Sequence, residues 1–182
     1  SEIDELRKRV EEVLRRLDEL VKRLKEENDR VVKKAEDLIR RLEETNREIL
    51  KKLRKLVKDD KDNQEAIDKL AKDAHKTNRD ILREIRELLK RIHEKNREMV
   101  ERIRKLLRDV ERMLRKVEKE IDDRDVLEKI KDLLRRVKEV ADEVEKKIRE
   151  LNKKTEDVVR ELEERVRKLD EDVKRVIEEV KR

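Results

Sequence analysis

Residues 75–96 read HKTNRDILREIRELLKRIHEKN, and the fold follows from the interval this stretch contains. His75 and Asn78 recur as His93 and Asn96 after 18 residues, with Ile81, Leu82, Ile85, Leu88, Leu89 and Ile92 between them. At about 3.6 residues per turn, that interval makes five turns of an undistorted α-helix, so every residue returns to the face it left. A heptad repeat would instead wind the helices into a left-handed supercoil.

The same interval governs the rest of the chain. In the first segment Val13, Val31 and Ile49 align, as do Leu14, Val32 and Leu50, and Leu17, Ala35 and Leu53. The middle segment repeats Ile67, Ile85, Ile103 and Ile121, and the last Val126, Val144, Leu162 and Val180. At about 100° per residue the apolar positions fill an arc of about 120°, the width a helix needs to face two neighbours. Opposite them lie i,i+4 pairs such as Glu5–Arg9, Glu12–Arg16, Asp18–Lys22 and Glu36–Arg40. Each such pair contributes roughly 0.2–0.5 kcal/mol, which supports helix formation and solubility more than tertiary structure.

Composition points the same way. Of 182 residues 59% are charged and 34% hydrophobic, and Gly, Pro, Cys, Phe, Tyr and Trp are all absent. Globular domains average about 12% Gly plus Pro, whereas long helices and coiled coils are built from residues like these. Without cysteine there is no disulfide, thiol chemistry or thiolate metal site to consider. No apolar run approaches the ~18 residues of a membrane span, and no signal-peptide pattern opens the chain, so a soluble protein without natural localisation, suited to recombinant cytoplasmic expression, is expected. The net charge of +6 is spread among alternating acids and bases, most basic in the middle segment. Nucleic-acid binders concentrate their cations and add stacking aromatics, and both features are missing.

Two interruptions divide the chain. Between Val57 and Ala66 lies KDDKDNQE, more than two turns without an apolar anchor and rich in Asp and Asn, which favour caps and turns. Phase across this gap differs by only about 40°, so periodicity alone does not exclude a continuous helix there. At Asp122–Asp125 phase does decide: a continued helix would throw Val126, Ile130 and Val137 about 160–180° away from the stripe. Ser1 with Asp4, Asp62 with Glu65, and Asp125 with Glu128 have capping-box spacing at the three starts. The expectation is an all-α, up-down-up antiparallel three-helix bundle forming one domain, residues 1–182. Its helices, about 2–58, 64–121 and 125–182, are joined by turns at about 59–63 and 122–124; each is long (roughly 85 Å), nearly straight and little supercoiled.

Matched segment lengths, a strict 18-residue repeat, Glu/Lys/Arg surfaces, Gly-free turns and Ile/Leu/Val cores resemble parametrically designed three-helix bundles, over the whole chain. That resemblance implies a scaffold without evolved activity, often carrying buried hydrogen-bond networks. Natural spectrin-type three-helix repeats are similar only in topology, because their core tryptophan and other aromatics are missing here.

The polar positions inside the stripe follow from folding the hairpins. If Val57 meets Ile67 and Ile121 meets Val126, facing positions sum to about 123 between the first two segments and about 247 between the last two. The first and third segments then run parallel with an offset of about 124. One layer gathers Asn28, His93, Asn96, Asn152 and Thr155, and the other Asn46, Thr45, His75, Asn78 and Asp170. An unpaired buried amide costs roughly 1–3 kcal/mol, so each layer is stable only in the register that pairs its members. The layers differ in the carboxylate, Asp170, opposite His75.

Other chemistry finds little support. His75 and His93, about 27 Å apart along a helix, cannot share an ion, and each layer offers too few nitrogen or sulfur ligands for zinc, so no metal or cofactor is expected. There is no nucleophile in a plausible setting, no Gly-rich phosphate loop and no evident pocket; no catalytic residue is assigned. The reading is a designed monomeric scaffold whose layers set helix register, requiring no partner, nucleic acid or membrane. The alternative is a designed switch, pH-responsive through His75 and His93 because protonation adds charge and removes an acceptor, or a module that binds a partner helix or self-associates. On the helical wheel both histidines lie near the stripe's margin, which blunts a switch, and a receptor for a fourth helix needs an apolar arc wider than 120°.

Overall fold

The computed structural model describes residues 2–60 and 62–181. Three α-helices account for nearly all of them: α1 (Glu2–Asp59), α2 (Gln64–Glu120) and α3 (Arg124–Lys181). Glu2, Asp4 and Glu5 open α1, Glu65 opens α2 and Asp125 opens α3, while Lys58 and Lys119 close the first two. These charges complement the partial charges at the helix ends. The capping box expected at Ser1 lies outside the described residues, as do Lys61 in the first turn and Arg182.

Both described caps sit on residues other than those the spacing suggested. At α2 the side-chain oxygen of Asn63, not Asp62, accepts the backbone N–H of Ala66 at 3.2 Å. The Asn63 carbonyl also takes the N–H of Ile67 at 3.2 Å, which makes it the residue where helical bonding begins. At α3 the cap is Asp123, whose carboxylate accepts the Asp125 N–H at 3.1 Å and whose carbonyl accepts that of Leu127 at 3.0 Å. The reason is geometric: a capping oxygen reaches only the N–H groups two or three residues ahead, so the true cap is set by where the helical backbone starts. Among the described residues no backbone adopts positive φ. The second turn, described throughout, therefore needs no left-handed position, which explains how a chain without glycine can make it.

Residues group into two compact units, each taking one segment from every helix: 1–28 with 92–154, and 29–91 with 155–182. In the first unit the core includes Leu17, Leu24, Ile103, Leu114, Ile130 and Ile148. α2 and α3 are joined here through the second turn, and Glu11 of α1 pairs with Arg136 of α3 across 3.5 Å. The second unit has two apolar clusters, one around Ile39, Ile85 and Leu162 and the other around Leu53, Ile67 and Val173. It holds the first turn, and Glu43 of α1 pairs with Arg165 of α3.

Burial repeats as the sequence does. Leu17, Ala35 and Leu53 are buried at successive steps along α1, Ile67, Ile85 and Ile103 along α2, and Ile130, Ile148 and Val166 along α3. Full burial of an aliphatic side chain is worth about 1.5–3 kcal/mol, and among the described residues no large hydrophobic is exposed. Ile85→Ala is expected to cost about 2–5 kcal/mol in urea unfolding. The cap assignment is tested by a pair of variants: Asn63→Ala should cost about 1 kcal/mol and Asp62→Ala clearly less. Equal losses would return the cap to Asp62.

Candidate functional site: a buried amide layer in each unit

Among the described residues the buried polar side chains are Asn28, Asn46, Asn78, Asn96 and Thr155, each no more than 1% exposed. In sequence, Asn28 and Asn46 continue the 18-residue series begun at Val10, and Asn78 and Asn96 share theirs with Leu114. Each asparagine thus stands where the repeat elsewhere places an aliphatic residue, so its helix aims it into the core.

In the first unit Asn28 and Asn96 form a reciprocal pair: Asn28 Nδ2 donates to Asn96 Oδ1 at 2.8 Å and Asn96 Nδ2 donates back to Asn28 Oδ1 at 3.1 Å. The second N–H of Asn28 has its own helix to bond, at the Leu24 carbonyl, 2.7 Å away. Asn96 turns its second N–H towards α3, where Asn152 Oδ1 accepts it. The second unit repeats this arrangement. Asn46 and Asn78 exchange bonds of 2.7 and 3.1 Å, Asn46 also donates to the Leu42 carbonyl at 2.8 Å, and Asn78 donates to Asp170 Oδ1 at 2.7 Å. The paired residues lie 68 apart in sequence in one unit and 32 in the other. Two 18-residue steps account for the difference, as antiparallel helices of this period require.

The role of each position follows from its donors. The α1 asparagine spends its amide hydrogens on its own helix and on α2, and the α2 asparagine spends its pair on α1 and α3. Only an acceptor is then needed from α3, and asparagine and aspartate both supply one. That explains how Asn152 and Asp170 occupy equivalent places. Among the described residues no buried side-chain nitrogen or oxygen lacks a partner.

Asp170 has a second donor to accept. His75 Nδ1 lies 3.0 Å from the same Oδ1, with the two side chains 26% and 30% exposed, so this pair sits at the rim of the second layer. His93, one step along α2, is also partly buried. Thr155 is buried on α3 within the second unit's residues. Thr45 does not join the layer in which the sequence placed it: it is exposed, and its hydroxyl donates to the Arg41 carbonyl of its own helix at 3.0 Å. Its position is the one Glu27 holds in the first unit, where Glu27 and Lys95 form an ion pair of 3.8 Å. Thr77, the step-equivalent of Lys95, likewise bonds its own helix at Asp73. These are rim positions, one residue short of the inward-facing asparagine.

The sequence reading named no interhelical ion pair. Yet Arg104–Glu145 at 3.1 Å and Arg86–Glu163 at 3.3 Å are the same pair, one in each unit, displaced by the 18-residue step. The register that brings the asparagines together would have located them. As surface pairs they contribute about 0–1 kcal/mol each.

Each unit has a groove between helices. The groove in the first unit is lined by Leu20 and Leu106 together with Arg16, Arg23, Arg102 and Asp109. Among the described residues no three His, Cys, Asp or Glu side chains are grouped to hold a metal, and no helix is long and apolar enough to cross a membrane.

With this geometry in view, the chain can be set beside known proteins. No protein-family model matches it, and no curated protein does. Among solved structures it is similar to a "Computationally designed three helix bundle", with a TM-score of 0.62 and 22% identity, over 98% of this chain and 87% of that one. The fold is a three-helix bundle. At that identity the likeness speaks for the fold, and the amide layers rest on the residues themselves.

Removing one partner and removing all of them should have opposite consequences. Asn96→Leu breaks both bonds of the reciprocal pair with Asn28, and is expected to lower unfolding free energy by about 1–3 kcal/mol. Replacing Asn28, Asn96 and Asn152 together by Leu should be nearly neutral or stabilising. Denaturant midpoints of the two variants make the comparison.

Proposed function

We propose that this chain is a designed structural scaffold without an evolved biochemical activity, whose buried amide layers fix the register of its helices. One observation carries the reading: the same reciprocal asparagine pair, each with the same third bond to α3, occurs once per unit at positions displaced by one 18-residue step. Hydrophobic contact is indifferent to sliding by whole turns, because the stripes present similar aliphatic faces at each step. A buried amide is not, since sliding strands its donors in apolar surroundings. A composition with no glycine, proline, cysteine or aromatic residue supports design over descent.

The proposed state is a monomer that needs no cofactor, nucleic acid, membrane or protein partner. Nothing large and hydrophobic is exposed among the described residues for a partner helix to cover. Light scattering at about pH 7.5 should return a mass near 22.4 kDa, and a dimer would contradict the monomeric scaffold.

A second reading, a pH-responsive module, is favoured by the pair of His75 with Asp170. An imidazole that gains a proton gains a charge and loses its acceptor, which is the change a switch of this kind would use. The pair is at the rim and partly solvated, so the scaffold reading expects the same mass and helicity at about pH 4.5 as at about pH 7.5. Opening or assembly with acid would favour the switch.

A further inference from the structure

The bond between His75 and Asp170 has a chemical consequence for the other side of the imidazole ring. A carboxylate at neutral pH can only accept, and Asp170 Oδ1 already receives the Asn78 amide at 2.7 Å. The contact at 3.0 Å therefore requires a hydrogen on His75 Nδ1. In the neutral ring the lone pair then resides on Nε2. Among the described residues that nitrogen makes no hydrogen bond, and with no buried nitrogen left unsatisfied and the side chain 26% exposed, it faces solvent.

We propose that His75 Nε2 is a nucleophilic site for activated acyl compounds, with aryl esters as the substrate class and Asp170 as the residue that positions the ring. This goes beyond the scaffold reading and does not depend on it. Asp170 fixes the tautomer and orientation of the imidazole, and Asn78, fully buried, holds Asp170 in turn. The Nε2 lone pair attacks the ester carbonyl; a C–N bond forms, the C–O bond breaks, and the phenolate leaves with its electron pair. The acylated ring is cationic, and its Nδ1–H bond to the Asp170 carboxylate becomes charge-assisted, stabilising the developing positive charge. Water then adds to the acyl carbon and the C–N bond breaks, returning its pair to Nε2. Carboxylic acid and one proton are released, so ester and water give acid, phenolate and a proton.

The assigned effect of Asp170 is about tenfold, below the ~10²–10⁴ of a fully positioned acid–base group because the pair is partly exposed.

The test follows 4-nitrophenolate release from 4-nitrophenyl acetate at neutral pH by the full chain and its variants, with circular dichroism checking the fold. In a His93→Gln background, used for every variant, His75→Gln should remove most of the protein-dependent rate above the lysine background. Nitrogen NMR of the parent should show His75 protonated at Nδ1. Asp170→Leu should lower the rate about tenfold and shift the ring to a mixture of tautomers. Should that variant fail to fold, Asp170→Asn keeps the acceptor and removes the charge, and should lower the rate with the tautomer retained. The proposal is overturned if His75→Gln reacts as fast as the His93→Gln protein it is made in, if His75 carries its hydrogen on Nε2, or if neither Asp170 variant slows release.

Discussion

A primary amide removed from water has two donors and an acceptor that must all be met, and this requirement governs the structure. The reciprocal pairs Asn28–Asn96 and Asn46–Asn78 meet it by exchanging one N–H each, leaving one donor per residue. Those remaining donors dictate the rest: the α1 residue returns its hydrogen to the carbonyl four residues back, and the α2 residue must find an acceptor on α3. Three helices are thereby tied at one level by chemistry that tolerates no vacancy. Aliphatic contacts supply most of the stabilisation, but they discriminate weakly between one whole-turn alignment and another.

The 18-residue interval allows the device to be repeated. Because five turns bring a residue back to its own face, the asparagine of one unit and that of the other are placed by the same helical phase, and the apolar residues around them repeat too. The repetition is not complete. Where one unit uses the Glu27–Lys95 ion pair at its rim, the other uses Thr45 and Thr77, each folded back on its own helix. Where one has Asn152 the other has Asp170, and that exchange of an amide for a carboxylate gives His75 a charged partner.

Much of this was legible in the residues because helical period is a strong signal. The stripe of Leu17, Ala35 and Leu53 defines a face, and the reversal of phase at Asp122–Asp125 forces a turn. Asparagines inside the stripe identify themselves, since a buried amide needs partners and the register limits which residues can be partners. Periodicity resolves position around a helix to about 100°, one residue, which is too coarse for the remainder. Thr45 is adjacent to the inward-facing Asn46, and that one step carries it to the surface, where its own helix offers the nearest acceptor. Asn63 and Asp123 cap their helices because the backbone begins its helical turn there. A motif such as Asp62 with Glu65 has the right spacing without that geometry. Which hydrogen goes to which oxygen also follows from backbone placement rather than residue type.

The central claim is that an amide layer works as a unit and belongs to the repeat, and transplantation tests it most directly. Val10, Leu114 and Leu134 lie one 18-residue step from Asn28, Asn96 and Asn152, within the same apolar cluster. Moving all three asparagines by that step, with the aliphatic residues exchanged into the vacated places, should give urea unfolding within about 1 kcal/mol of the parent. Moving Asn28 alone to position 10 should cost about 2–6 kcal/mol, because both the moved amide and Asn96 lose partners. Equal stability of the single and the complete transfer would contradict the account.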